Sequence, residues 1–192
     1  MAFLEEDALK IRRSKKMMLW FAMISMAMSF AGLTSAYIVS KSRPDWLTDY
    51  TIPQAFYIST LAVVISSITI FLARKAITRE NHPQGMLLLV STWILGALFV
   101  IFQFVGFSDF VSQGFFFTGA ESTITTSFIY LIVALHLAHI FSGMLVLTVV
   151  IYNHYKQKYK NGQTLGIELA ETFWHFVDFL WLYLFLFFIF VR

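Results

Sequence analysis

The chain has 192 residues, 58% hydrophobic and 18% aromatic but only 13% charged, about half the charged share of an ordinary soluble domain. That composition excludes disorder and a soluble enzyme. The absence of Cys excludes disulfides, thiolate metal sites, thiolate-held binuclear copper, cysteine-ligated iron–sulfur clusters and cysteine nucleophiles. The net charge of +3 marks no nucleic-acid surface, because the cations sit in short segments beside long apolar blocks, where membrane topology places them.

A helix needs about 20 apolar residues to cross a hydrocarbon layer about 30 Å thick. Five blocks reach that length without an internal Lys or Arg: Met17 to Ser40, Pro53 to Ala73, Met86 to Phe107, Ile124 to Tyr152 and Ala170 to Val191. Uninterrupted apolar runs predict helices, which satisfy their own backbone in lipid, rather than the alternating strands of a barrel. The expected fold is an all-α membrane protein, a five-transmembrane-helix bundle forming a single membrane domain over residues 1–192. Pro44, Pro53, Pro83 and Gly85 punctuate the first two connections.

Lys10, Arg12, Arg13, Lys15 and Lys16 in the N-terminal tail share one side with Arg74, Lys75, Arg79, Lys156, Lys158 and Lys160. Lys41, Arg43 and Arg192 make up the other side, so the positive-inside rule puts the N-terminus in the cytoplasm and the C-terminus outside. Thr34, Ser35 and Ala36 are small enough for signal cleavage. The first apolar run is nevertheless longer than the roughly 7–15 residues of a signal core, and it is read as a retained span.

Ionisable groups within spans are costly and therefore informative. Gln103 in the third span is neutral and suits packing against a neighbouring helix. The fourth span holds His136 and His139, three residues apart on one face, and the fifth begins with Glu168, Glu171, His175 and Asp178, whose steps of three, four and three form a stripe. At about 1.5 Å per residue Asp178 lies roughly 10 Å deep and His139 roughly 15–20 Å, so contact between them is open. One reading makes His136, His139, His175 and Asp178 a proton relay or metal site; the other has them bonded across helices, orienting the bundle. The second is preferred, because a metal needs further ligands whose convergence the sequence does not establish. The expected cluster is cytoplasm-facing and fixes the fourth and fifth spans together. A bis-histidine haem would have to pair His136 or His139 with His175, whose depth of only about 6 Å makes an awkward axial set. His82 and His154 fall in connections and are expected to be solvated or interfacial. The first span's small residues, among them Ala22, Ser25, Ser29, Gly32 and Ala36, permit close helix approach, and the Phe-rich fifth span suits a lipid or protein face. No phosphate loop, nucleophile elbow or zincin motif is present.

The segment ELAETFWHFVDFLWLYLFLF resembles the last helix of subunit III of the haem–copper oxidases through Trp174, His175, Phe176, Val177, Asp178 and Trp181, with Glu168 at the family's acidic position seven residues earlier. LHLAHIFSG is similar to the family's HGxHVxxG segment at His136, His139 and Gly143. The similarity extends through Pro53 to Ala73, Gly96 and Gln103, and Phe30 to Tyr37. Five spans match the short bacterial form. Met26 stands where many members carry a buried Glu, and Leu137 replaces the Gly after the first His, so the buried-carboxylate role does not transfer.

The resemblance implies a noncatalytic subunit in the bacterial inner membrane, with no cofactor of its own, packed beside subunits I and II that hold haem and copper. It implies bound phospholipid, support of proton uptake and of the active site's lifetime, and membership of a respiratory assembly that can extend to a supercomplex. The electron donor of the complex, cytochrome c or quinol, leaves no trace in this chain. A nitric-oxide-reductase-associated homologue, a haem b carrier and a small transporter are the competing readings.

Overall fold

The computed structural model describes residues 2–47, 50–119, 122–159 and 164–191, except the side chains of residues 2–5 and 8. Lys160 and Arg192, two of the cations used above for orientation, lie outside the described residues. Five helices are long and apolar enough to cross a membrane: α1 (Ala2–Val39), α2 (Gln54–Thr78), α3 (His82–Ser112), α4 (Ile124–Tyr155) and α5 (Leu165–Phe190). Every regular element among the described residues is helical.

The helices outrun the apolar blocks because apolarity marks the bilayer, whereas a helix continues until something stops it. α1 extends back from Met17 to Ala2 through a tail without Gly or Pro, braced by a Glu6–Lys10 ion pair one turn apart at 2.9 Å. α5 starts at Leu165, five residues before the expected Ala170. The stops are local chemistry. α2, α3 and α4 are followed by left-handed residues, Glu80 (φ 59°), Gly114 (φ 84°) and Gln157 (φ 57°). At each, the next amide bonds back to a carbonyl five residues earlier: Asn81 to Ala76, Phe115 to Phe110 and Lys158 to Asn153. Asn81 and Pro83 open α3, and a reciprocal Thr123–Thr126 capping box opens α4.

α2, α3, α4 and α5 form a ring in which each packs on the next and α5 closes on α2, while α1 rests against α4 and α5. The α2–α3 hairpin is the tightest pair. Its α2 seam runs Ser59, Ala62, Ser66, Thr69, Ala73 and Ala76; its α3 seam runs Gly85, Leu89, Thr92, Gly96, Phe99, Gln103 and Gly106. Alternating steps of three and four keep each seam in line, and small side chains let the backbones approach where lipid supplies no hydrophobic drive. Gln103 donates to Ser59 at 2.9 Å and Thr69 pairs with Thr92 at 2.8 Å, so the seam also carries hydrogen bonds.

α5 is the most buried of the five and α1 the least. The Phe-rich half of α5 divides: Phe185, Phe187 and Phe188 are buried, while Tyr183, Leu186 and Phe190 are exposed. Trp174 is enclosed by the ring. It donates its indole N–H to Ser66 of α2 at 3.0 Å and lies against Gly96 of α3 and Gly143 of α4, where added Cβ atoms would stand 2.8 and 3.2 Å from its ring. Those two glycines are the room that the indole occupies.

Candidate functional site

The acidic and imidazole stripe of α5 divides between two neighbours. Glu168 turns to α1, accepting from Arg12 at 2.8 and 2.9 Å, from Lys16 at 2.9 Å and from the Thr164 hydroxyl at 2.9 Å. The remaining members turn to α2. Arg74 donates to Glu171 at 2.7 Å, Ser67 lies 2.8 Å from His175 Nδ1, and the same hydroxyl donates to Asp178 Oδ2 at 2.7 Å. His175 Nε2 faces Glu171 at 3.8 Å.

Proton counting orders this string. Ser67 has one O–H and gives it to Asp178, so the His175–Ser67 bond requires a proton on Nδ1. Ser66 gives its own O–H to the Val63 carbonyl at 2.8 Å, which leaves the 3.4 Å approach to Asp178 weak. Ser67, His175 and Asp178 therefore do not form a nucleophilic triad: in a triad the imidazole stands between hydroxyl and carboxylate and takes the hydroxyl proton, whereas here the hydroxyl stands between. The string can hold two helices in register and pass a proton along hydrogen bonds. It activates no nucleophile.

The structure corrects the partners expected for the cluster. The acids of α5 are tied to α1 and α2, not to α4. His136 and His139 stand apart from them. His136 is fully buried, stacked on Trp181 at 5.2 Å and edge-on to Phe99 at 5.9 Å, with neither ring nitrogen bonded. His139 uses Nδ1 on the Leu135 carbonyl at 2.7 Å and meets the edge of Phe30 at 5.7 Å. The four-member relay therefore does not assemble, nor does an α4–His175 axial pair. The physical reason is angular. Asp178 faces Ser67 of α2, whereas His139 faces Phe30 of α1.

His82 and His154 lie in helices rather than connections, and His154 is buried rather than solvated. His82 is the first residue of α3, and His154 is buried in the last turn of α4. The Nε2 of His154 bonds the His82 carbonyl at 3.0 Å. Among the described residues, no group of three or more His, Asp or Glu side chains is placed to hold a metal ion.

Sequence reasoning missed Ser67 and Arg74 as partners. Their signal was present: they lie seven residues apart on one face of α2, an antiparallel complement to Asp178, His175 and Glu171.

A family model for cytochrome c oxidase subunit III matches residues 3–191. The chain is 29% identical over 167 residues to cytochrome c oxidase subunit 3 of Thermostichus vulcanus, covering 85% of this chain and 80% of that protein. It is 26% identical to the cytochrome bo(3) ubiquinol oxidase subunit 3 of Buchnera aphidicola, covering 93% and 87%. It is 34% identical to the probable cytochrome c oxidase subunit 3 of Rickettsia bellii, over 68% of this chain and 46% of that longer protein. With five membrane-length helices, an α5 stripe bonded to neighbouring helices and a match across almost its whole length, the chain belongs to the cytochrome c oxidase subunit III family.

Proposed function

We propose that the chain is the noncatalytic third subunit of a respiratory cytochrome c oxidase in a bacterial inner membrane, where it braces the catalytic subunit, holds phospholipid and supports proton uptake. The observation that carries this reading is the use of the α5 acids. Glu168, Glu171 and Asp178 each bond side chains of other helices, the arrangement of a brace rather than of a reaction centre. Oxygen reduction and proton pumping belong to the haem- and copper-bearing partners. The end of the bundle carrying Arg12, Lys16 and Arg74 is cytoplasmic in this reading.

Lipid binding is supported by a cavity of about 190 Å³ at that end, lined by Lys16, Trp20, Arg74, Glu168 and Thr172. Lys16 and Arg74, half-exposed beside an indole at the membrane boundary, can take a phosphate head group alongside their Glu168 and Glu171 partners. Proton uptake is supported by the hydrogen-bonded string of His175, Ser67 and Asp178, with Glu171 3.8 Å from His175 Nε2.

Purification of the tagged chain in mild detergent tests the assignment. A large haem-bearing subunit and a subunit with a copper pair should accompany it, whereas emergence of the chain alone refutes the reading. Copurification without the copper-pair subunit, with turnover on quinol, would move the chain to the quinol oxidases that the Buchnera relative represents. Asp178→Leu should loosen the assembly, since the buried Ser67 hydroxyl loses its acceptor. Unchanged assembly and turnover in that variant would show that the string is dispensable.

A further inference from the structure

The α2–α5 string has unused valences, and they lie where lipid cannot satisfy them. Asp178 stands in the middle of α5, thirteen residues after Leu165 and twelve before Phe190, and eight residues into the apolar block, which at about 1.5 Å per residue is roughly 10 Å inside the hydrocarbon boundary. Asp178 is 3% exposed, and while Oδ2 takes the Ser67 hydroxyl, Oδ1 is buried without a hydrogen-bond partner. One helical turn away, the side chain of His175 is 39% exposed, its Nε2 no closer than 3.8 Å to Glu171. Both residues line a lateral notch of about 330 Å³ whose mouth is formed by Val64, Phe179 and Leu182. Val64 and Phe179 are themselves exposed.

An acyl chain over this notch would leave the His175 imidazole facing hydrocarbon directly above a buried carboxylate, a placement found almost only where protein or trapped water covers the group. The outward surface of α1 has no such demand. From Met18 to Ile38 it carries no acid, base or histidine, and it exposes Phe21, Ile24 and Met28, which lipid solvates well.

We infer that the α2–α5 face is the surface on which a transmembrane helix of the oxidase's catalytic subunit docks, placing a hydrogen-bond donor in the notch against Asp178 and His175. The inference rests on the subunit reading above and adds the face and the chemistry of the contact. The occupant is a polar side chain on an otherwise apolar helix: an amide, hydroxyl, indole or cation that donates to the half-exposed His175 imidazole beside Asp178. Val64 and Phe179 form the apolar rim around it.

Photo-crosslinking in the intact complex tests this. p-Benzoylphenylalanine in place of Val64 or Phe179 should attach to a transmembrane segment of the catalytic subunit that carries such a donor, while the same probe at Met28 should attach to lipid. Val64→Trp fills the mouth without touching the internal hydrogen bonds, so it should lower copurification of the catalytic subunit about tenfold and leave the melting of the isolated chain unchanged. Attachment of the Val64 and Phe179 probes to lipid or detergent alone overturns the inference, as does full copurification of Val64→Trp. If the wild-type chain brings no oxidase subunit at all, the subunit reading has failed and takes this one with it. If it brings them while the probes meet only lipid, the docking face alone is wrong.

Discussion

Gly96→Leu is expected to prevent closure of the α2–α3–α4–α5 ring. The first added carbon at residue 96 would stand 2.8 Å from Trp174, inside contact distance, before the rest of the leucine is placed. The indole has no room to retreat. Its N–H is anchored to Ser66, and its other edge lies where a Cβ on Gly143 would be 3.2 Å away. Overpacking of a well-filled core by small groups costs about 1–3 kcal/mol. Gly96→Ala should therefore give a folded, weakened chain, and leucine one recovered without a cooperative transition. Unfolding in detergent by SDS titration measures both. Trp174→Phe should relieve part of the Gly96→Ala loss, since contacting sites couple by about 0.5–3 kcal/mol. A Gly96→Leu variant with the wild-type transition would show that the indole is not fixed there.

Arg74→Leu should cost more than Glu171→Leu, although each removes the same 2.7 Å ion pair. The difference lies in what is left behind. The Glu171 side chain is 5% exposed and the Arg74 side chain 42%. Stripped of arginine, Glu171 keeps only His175 at 3.8 Å and cannot reach water. A deserted buried charge costs about 3–5 kcal/mol, and the half-exposed partner lowers the expected loss toward the bottom of that range. Stripped of glutamate, Arg74 can swing to water or phosphate, and the expected loss is about 1 kcal/mol. The double variant should resemble Glu171→Leu rather than the sum. The same SDS titration reads the three, and equal losses for the two single variants would contradict the asymmetry.

Much of the architecture was legible because membrane helices must satisfy their own backbones: five apolar blocks of sufficient length could be little else. Their ends were less legible. The tail before Met17 continues α1 because nothing in it stops a helix, and a hydropathy pattern carries no information on that. The α5 stripe was visible from its spacing, but spacing fixes only which residues share a face, not which neighbour the face meets. Asp178 and His139 illustrate the loss: a count of depth left their contact open, and the structure turns one to α2 and the other to α1. The α2 complement, Ser67 and Arg74, was masked because serine in a span usually bonds its own backbone, as Ser59 does with Phe56 at 2.9 Å. Gly96 and Gly143 were noticed only through resemblance; what requires them is the volume of one indole on another helix.

The most direct test of the central claim, that these buried acids and imidazoles grip helices rather than bind a redox centre, is metal analysis and absorption spectroscopy of the purified chain separated from its complex. The account predicts a folded, helical polypeptide with no Soret band and no stoichiometric iron or copper. A stoichiometric haem, or copper that survives chelation, would contradict it.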